Sequence, residues 1–348
     1  MDKSNKEKEI KPVIGITIGD INGIGPEVII KTFSDSRLLR LATVVIYGSS
    51  KVLSYYRKIL KANNFNFNQA RDGESLNPRK LNVINCWEEQ VEITTGESTQ
   101  EAGQAAFASL ERATADMKAG LINGLVTAPI NKYNIQHENF SFAGHTEYLA
   151  DRFETGDSLM LMVGENIKVG VVTGHVPLQE VSALITEARI VKKLELMEAA
   201  LKNDFGITKP KIAVLGLNPH AGEGGLLGME EDQQIIPAMK AFKSKGKLVY
   251  GPFPADGFFG AGRYTKYDAI LAMYHDQGLI PFKNITFGQG VNYTAGLPAV
   301  RTSPDHGTAY DMAGKGLANE ASFRQAFYTA CDVVKFKTMN KVDVALNV

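Results

Sequence analysis

The sequence predicts an α/β protein built mainly on parallel sheets. β-rich runs alternate with helical patterns along the chain, which is typical of parallel strands joined by crossover helices. The run from Asp268 to Tyr274 is almost wholly apolar, as expected for a strand that is covered on both faces. With 348 residues, the chain is long enough for two domains or one large one.

The composition is that of a soluble globular protein and disfavours two classes of partner. Lys+Arg and Asp+Glu both number 38 and no basic stripe is present, which argues against nucleic acid. No apolar run reaches the roughly 18 residues that a membrane span needs. Cys86 and Cys331 form no C-x-x-C motif, which favours a reducing, cytoplasmic location. Residues 1–12 are charged, lack the apolar segment of a secretory signal, and are predicted to form a disordered tail.

Apolar runs, helical periodicity and turn residues predict the elements in chain order. Strands are predicted at 13–18, 43–47, 81–85, 121–127, 158–163, 167–173, 211–217 and 268–274. Helices are predicted from Pro26 onward and at 51–63, 98–118, 187–203 and 320–336. The turn-like stretch 164–166 predicts a hairpin, and the glycine-rich, polar stretch 305–319 predicts a long structured loop.

Gly23 and Gly25 partially match the dinucleotide-binding pattern G-x-G-x-x-G. The third glycine is absent, and Pro26 breaks the expected spacing while suiting the first turn of a helix. The sequence therefore disfavours a Rossmann site in this loop.

Three histidines, His175, His220 and His275, each follow an apolar strand. Ligands of an open α/β sheet bind beyond the carboxyl ends of the strands. Three imidazoles in such positions suit a catalytic divalent metal with open positions for substrate oxygens. Asp256 and Asp276 are candidates for further ligands or for orienting the ligands. The alternative is three unlinked loop histidines with separate hydrogen-bonding roles.

Cationic and amide side chains late in the chain suggest a small anionic substrate. Lys283, Asn292 and Arg301 stand in glycine-rich or strand contexts, and Lys and Arg are the side chains that bind phosphate or carboxylate. The alternative for Lys283 and Arg301 is ordinary surface ion pairing.

Two further candidates come earlier in the chain. Lys132 follows a predicted strand, where a lysine can bind an anion or act as an acid or base, although a surface lysine is the alternative. His145 and Thr146 offer donors at a predicted helix start, a position that favours phosphate, although Thr146 could simply be an N-cap.

A set of long motifs occurs in a fixed order along the chain. They are Gly-Asp-Ile-Asn-Gly-Ile-Gly-Pro-Glu, Thr-Ala-Pro-Ile-Asn-Lys, Gly-His-Thr-Glu-Tyr, Gly-Leu-Asn-Pro-His-Ala-Gly-Glu-Gly-Gly, Ala-Met-Tyr-His-Asp-Gln-Gly and Asp-His-Gly-Thr-Ala. In these motifs the sequence resembles the 4-hydroxythreonine-4-phosphate dehydrogenase family of pyridoxal phosphate synthesis, from about Val13 to the last helix. More distantly, it resembles the isocitrate and isopropylmalate dehydrogenases, which lack a Rossmann fold and bind the dinucleotide in a C-terminal loop.

The resemblance implies two α/β/α domains with the active site in the cleft between them. One domain would comprise 13–130 with 300–348 and carry the adenosine-binding loop. The other, 131–299, would carry the metal and substrate site and the dimer interface. Ile21 and Asn22 depart from the Pro-Ala that is more usual at these positions in the family.

The resemblance also implies roles for individual residues. One divalent ion (Zn, Mg or Co) would be bound at a site shared across a homodimer interface, with ligands His175, His220 and His275. The substrate contacts would be His145, Thr146, Lys283, Asn292 and Arg301. The loop from His306 to Asn319 resembles the adenosine-binding loop of the isocitrate-type enzymes, whose His and Asn address the adenine. Asp311 stands where NAD enzymes are acidic, because a carboxylate accepts from the ribose 2′-OH but repels a 2′-phosphate, so NAD is implied rather than NADP.

The implied reaction is NAD-dependent oxidation of 4-phosphooxy-L-threonine followed by loss of CO2, which gives 3-amino-2-oxopropyl phosphate. Lys132, Asp256 and Asp276 are the candidates for general base and general acid, with the roles left open among them. Two alternatives remain. D-threonate or D-erythronate 4-phosphate offers the same phosphate, hydroxyl and carboxylate groups. The phosphate acetyl- and butyryltransferases resemble the same two-domain architecture but do not need the three-histidine site.

Overall fold

A computed structural model describes residues 11–88 and 91–346, with side chains described as far as residue 340. The chain forms two compact units. The first contains the described residues up to Ser141, Gly307–Glu320 and the described residues from Phe327 onward; the second contains Phe142–His306 and Ala321–Ala326. The predicted domain boundaries at 130/131 and 299/300 stay predictions. The predicted N-terminal tail, apart from Lys11 and Pro12, lies outside the described residues.

The first unit is a parallel α/β structure. Its strands are β1 (Val13–Thr17), β2 (Thr43–Gly48), β3 (Phe67–Ala70), β4 (Leu81–Asn85) and β5 (Gly124–Thr127). They pair in the order β3-β4-β2-β1-β5, and every pairing is parallel. The helices are α1 (Gly25–Phe33), α2 (Ser50–Ile59) and α3 (Gln100–Lys118), with a 3₁₀ turn at Ser36–Arg40. Strand β2 is buried along its whole length, as a strand covered on both faces should be.

The second unit is a mixed sheet. Its strands are β6 (Leu159–Val163), β7 (Lys168–Thr173), β8 (Lys211–Leu215), β9 (Leu248–Phe253), β10 (Ala269–Tyr274), β11 (Val291–Ala295) and β12 (Val300–Pro304). The order is β12-β11-β6-β7-β10-β8-β9. The pairings from β12 to β7 are antiparallel, and those from β7 to β9 are parallel. The prediction of parallel sheets is therefore confirmed in the first unit and only in part here, while the predicted β6–β7 hairpin is confirmed.

The remaining helices are α4 (His145–Arg152), α5 (Leu178–Leu184), α6 (Glu187–Asn203), α7 (Ile236–Ser244), α8 (Ala255–Gly260), α9 (His275–Thr286) and α10 (Ala321–Leu346). Helix α6 has the predicted bounds, whereas α10 runs ten residues beyond the predicted end at 336. Short 3₁₀ turns lie at Pro219–Gly225 and Arg263–Lys266, and a π-helical turn lies at Glu231–Ile235. Within the described part of the chain, no helix has the length and apolar content to cross a membrane.

The core of the second unit explains why the residues of β10 are almost all apolar. Ile270 and Ala272 on β10 pack with Val169 and Val171 on β7 and with Phe282 on α9. Residues two apart on a strand share a face, so the alternate residues of β10 point to the opposite side, and they are buried too. The predicted strand at 268–274 is confirmed. It ends directly at His275, where α9 begins.

Candidate active site

Four adjacent parallel strands bring the predicted metal-binding and acidic side chains to one edge of the second unit's sheet. The strands are β7, β10, β8 and β9, in that order. Because they are parallel, their carboxyl ends meet at the same edge. His175 follows β7, His275 and Asp276 follow β10, and His220 follows β8. Asp256 is exposed in the first turn of α8, directly after β9.

His175 and His275 lie side by side, with 5.7 Å between their ring centroids. Two imidazoles on one tetrahedral ion would stand about 5 Å apart, given metal–nitrogen bonds of about 2 Å. Nδ1 of His275 lies 2.7 Å from Oδ1 of Asp276. That contact leaves Nε2 of His275 for a ligand, and metal-bound histidines commonly have such a carboxylate partner. The pair therefore fits two ligands of a divalent ion.

His220 lies on the neighbouring strand's loop and is exposed. Among residues 11–88 and 91–340, no three His, Cys, Asp or Glu side chains are arranged to hold a metal ion. The described residues of one chain thus bring two of the predicted ligands together and leave the third apart. The three-histidine site shared by two subunits stays a prediction.

Gln277, which the sequence analysis did not select, links two of the histidine loops. Its Nε2 donates to the carbonyl of Gly216 at the end of β8, at 2.6 Å. Its Oε1 accepts from the N–H of Met273 on β10, at 2.7 Å. The side chain therefore fixes the start of α9, with His275, against the strand that leads to His220.

A buried cation lies on the antiparallel pair β11–β12. The register pairs Asn292 with Ser303, so Thr294 and Arg301 face each other two residues further along. Arg301 is 3% exposed and donates through Nη1 to the hydroxyls of Thr294 at 3.1 Å and Thr146 at 3.5 Å. Burial lowers the pKa of Arg301 to about 10, so the guanidinium stays protonated at neutral pH. Arg301 is therefore no surface ion-pairing residue.

The start of α4 lies beside this cation. Gly144 occupies the N-cap position without a side-chain cap bond, and Thr146 is the second residue of the helix, so the N-cap alternative for Thr146 is wrong. The contact between Thr146 and Arg301 brings together two of the predicted substrate contacts. Backbone N–H groups at a helix start also suit an anion. Oδ1 of Asn292, on the same β11 face as Thr294, is buried and has no hydrogen-bond partner among the residues that the structure describes.

Lys283 forms an ion pair, which is the stated alternative to substrate binding, and its partner is a largely buried carboxylate. Its Nζ lies 3.1 Å from Oδ1 of Asp305, and the Asp305 side chain is only 12% exposed. Burial raises the pKa of Asp305, while the charges of Lys283, His306 and His275 act in the opposite direction. Asp305 directly follows β12, so the strand-end criterion that selected the histidines would also have found it.

The predicted nucleotide-binding loop belongs mostly to the first unit, where side chains of the Gly19–Lys31 segment hold it. The Tyr310 hydroxyl donates to Oδ2 of buried Asp20 at 2.7 Å. The Ala318 N–H donates to Oε1 of buried Glu27 at 2.9 Å. Lys31 donates to the carbonyls of Gly316 and Ala318 at 2.8 and 2.6 Å. The predicted structured loop is thus confirmed.

Of the predicted cofactor residues, Asp311 and Asn319 are exposed and His306 is half-buried. Lys132 is exposed in a turn of the first unit, where its carbonyl accepts from the Gln136 side chain at 3.0 Å. Lys132 therefore lies in a different unit from Asp256 and Asp276.

The family model for "Pyridoxal phosphate biosynthetic protein PdxA" matches residues 40–330. The chain belongs to the PdxA family. It is 54% identical to a 4-hydroxythreonine-4-phosphate dehydrogenase of Bacteroides thetaiotaomicron, over 96% of this chain and 92% of the relative. A crystal structure of 4-hydroxythreonine-4-phosphate dehydrogenase from Klebsiella pneumoniae superposes with a TM-score of 0.81 at 37% identity, covering 94% of this chain and all of that one.

Two further similarities bear on the alternatives. A relative in Oceanobacillus iheyensis, provisionally named D-threonate 4-phosphate dehydrogenase, is 39% identical over 94% of this chain and 99% of its own length. Isocitrate dehydrogenase from Methylococcus capsulatus shares the fold, with a TM-score of 0.50 at 11% identity over 95% of this chain and 88% of that one. The predicted likeness of this chain to isocitrate dehydrogenase is therefore confirmed at the level of the fold.

Proposed function

We propose that this protein oxidises 4-phosphooxy-L-threonine with NAD+ and releases CO2 and 3-amino-2-oxopropyl phosphate. The observation that carries the proposal is that three histidines and two aspartates follow strands at one edge of the sheet, in a chain of the PdxA family. These residues are His175, His220, His275, Asp256 and Asp276. Hydride leaves the hydroxyl-bearing carbon for NAD+, and the hydroxyl proton passes to a base. The new carbonyl is β to the carboxylate, so it accepts the electron pair of the C–C bond that breaks as CO2 leaves.

In this proposal, His175, His220 and His275 hold one divalent ion. The chemistry that the ion supplies when bound is polarisation of the substrate hydroxyl oxygen, which lowers the pKa of that hydroxyl. Asp276 holds Nδ1 of His275 and so orients the imidazole. Asp256, Asp276 and Lys132 remain the candidates for the base that takes the hydroxyl proton and the acid that returns a proton to carbon.

The anionic groups of the substrate are assigned to Arg301, Lys283, Asn292 and the His145-Thr146 helix start. The support is the burial of the Arg301 guanidinium beside Thr146 and the buried, unbonded Oδ1 of Asn292. A desolvated cation binds an anion more strongly than an exposed one does, because the local dielectric constant is lower.

NAD+ is assigned to the loop from His306 to Asn319. In this assignment His306 and Asn319 contact the adenine, and the exposed Asp311 accepts from the ribose 2′-OH. The exposed carboxylate would repel the 2′-phosphate of NADP+.

The metal site is proposed to be completed in a homodimer. Large apolar side chains lie exposed close to two of the histidines in sequence: Leu178 is 74% exposed, Leu226 77% and Met229 46%. Exposed apolar groups of this size are typical of surfaces that a second subunit covers.

The experiment is a substrate panel read by NADH absorbance, with purified protein, NAD+ and a divalent ion. 4-Phosphooxy-L-threonine is compared with D-threonate 4-phosphate and D-erythronate 4-phosphate, because the Oceanobacillus relative favours the second as the alternative substrate. The largest kcat/KM identifies the substrate, and absence of NADH with all three would refute the dehydrogenase. Treatment with EDTA should abolish activity, a divalent ion should restore it, and His220→Ala should not respond to the ion. Activity that His220→Ala leaves intact would refute the metal assignment.

A further inference from the structure

The loop that carries His220 has an unusual backbone. His220, Ala221, Gly222, Glu223 and Gly224 are five consecutive residues in the left-handed region, with φ between 44° and 79°. Residues with a side chain rarely adopt this region, and runs of them persist only where the surroundings hold them. Something outside the loop must therefore fix this turn.

Glu231 is the side chain that lies under the turn. It begins the π-helical turn and is 2% exposed. Its Oε1 accepts from the backbone N–H groups of Leu217 at 2.7 Å and Asn218 at 2.8 Å, and its Oε2 accepts from the Asn218 side chain at 2.9 Å. A Cβ on Gly222 would lie 2.6 Å from Oε2, so the backbone of the turn is in direct contact with the Glu231 carboxylate.

We propose that Glu231 is a positioning residue for His220. It holds the two residues that precede Pro219-His220 from one side and contacts the left-handed turn that follows from the other. The inference rests on the proposed function, in which His220 is a metal ligand. Loss of the Glu231 bonds would free the turn and misplace the imidazole, without removing any ligand.

The chain contains a matched control in the adjacent residue. Glu230 accepts from the Ser182 hydroxyl at 2.6 Å and from the Asn218 side chain at 2.8 Å. No backbone N–H of the 216–225 segment donates to Glu230 in the described contacts. Glu230→Gln therefore changes the same local charge without releasing the backbone of the His220 loop.

The test titrates the purified protein with Co²⁺ and follows the visible absorption of the bound ion. Glu231→Met has a similar volume but removes all three accepted bonds, whereas Glu231→Gln keeps one oxygen for the two backbone donors. Glu231→Met should weaken Co²⁺ binding by about 10- to 100-fold, the usual loss when a residue that orients a ligand is removed. Glu231→Gln should lose less, and Glu230→Gln should bind as wild type does. Thermal unfolding without metal shows which variants are folded.

The outcomes separate this inference from the proposed function. A wild-type protein that binds no Co²⁺ would refute the metal site itself. Wild-type binding together with equally tight binding by folded Glu231→Met would overturn the role of Glu231, as would an equal loss in Glu230→Gln. If Glu231→Met does not fold, Glu231→Gln decides: unchanged affinity and an unchanged visible spectrum overturn the inference, and a weakened site with an altered spectrum supports it.

Discussion

Replacing Tyr310 with phenylalanine should loosen the loop that we assign to NAD+. The Tyr310 hydroxyl donates to Oδ2 of Asp20 at 2.7 Å and accepts from the Asn131 side chain at 3.0 Å. Burial, together with the hydrogen bond to Asp20, raises the pKa of Tyr310 to about 12, so the hydroxyl remains a donor at neutral pH. Phenylalanine keeps the ring and removes both of these bonds.

The size of the effect follows from the partners that remain. Oδ2 of Asp20 still accepts from the Asn134 side chain at 2.8 Å, and Oδ1 accepts from the Asn22 N–H at 2.9 Å, so the carboxylate keeps two hydrogen-bond donors. A hydrogen bond to a charged group contributes about 1.5–3 kcal/mol. With two donors retained, we expect a loss of about 2 kcal/mol. If the ordered loop is required to bind NAD+, that loss corresponds to a roughly 30-fold rise in the KM for NAD+.

Initial rates at varied NAD+ and saturating substrate measure this change, and urea unfolding measures the stability. Tyr310→Phe should raise the KM for NAD+ far more than it lowers kcat. Tyr133→Phe is the control, because Tyr133 is in the same unit and 87% exposed, so the same atom is removed without loss of a buried bond. A Tyr310→Phe protein with wild-type stability and a wild-type KM for NAD+ would show that this hydroxyl does not hold the loop.

The remaining predictions concern the second unit and the cofactor preference. Arg301→Met should raise the KM for the phosphorylated substrate by about 10- to 100-fold, because one charged hydrogen bond contributes about 1.5–3 kcal/mol. The KM for NAD+ should stay constant in the same rate assay. Equal rises in both KM values would contradict the assignment of Arg301 to the substrate. Asp276→Asn should weaken divalent-ion affinity by about 10- to 100-fold in equilibrium dialysis, and unchanged affinity would show that its contact with the imidazole has no role in metal binding. Burial raises the pKa of Asp305, so the stability contributed by its protonated form is fully present below the unfolded value of 3.8 and is lost as the pH rises through the folded pKa. Asp305→Asn should therefore gain in unfolding free energy relative to wild type as the pH rises above 3.8, and a difference that stays constant with pH would contradict this. Asp311→Asn should improve kcat/KM for NADP+ relative to NAD+, because it removes the charge that repels a 2′-phosphate; an unchanged ratio would place the ribose elsewhere.

The elements that the sequence predicts best are those whose signals are local. Strand β10 and helix α6 are encoded by a continuous apolar run and by regular helical spacing, and both bounds agree with the structure to within a residue. The antiparallel pairing of β11 with β6 is not visible in this way, because strands more than a hundred residues apart leave no local pattern. The mainly parallel pairing and the β6–β7 hairpin are therefore predicted correctly, whereas the antiparallel pairings of β11 are not predicted.

The residues of the candidate site also differ in whether a local sequence signal marks them. Histidines after apolar runs can be selected because a strand end is a local feature, and the sheet order then brings them to one edge. Glu231 follows no strand end, and nothing in its sequence neighbours distinguishes it from an exposed charge. Asp305 does follow a strand, but its burial has no local signal either. Only the fold shows that Glu231 is buried under the His220 turn and that Asp305 is buried beside Lys283. Carboxylates that act through burial are thus the residues that reasoning from one sequence misses.

The partial G-x-G-x-x-G match in the loop after β1 has a physical explanation other than dinucleotide binding. A Cβ on Gly23 would lie 2.8 Å from the carbonyl oxygen of Thr308, and the next N–H, of Ile24, donates to that same oxygen at 2.9 Å. Gly23 is therefore required for the close approach of the Gly307–Glu320 segment, and no pyrophosphate is needed to explain it. If that segment binds NAD+, the glycine loop serves the cofactor indirectly, as the surface on which the binding loop is built. A glycine pattern in a sequence indicates that other atoms lie close to the backbone, and here those atoms belong to the Gly307–Glu320 segment of the same chain.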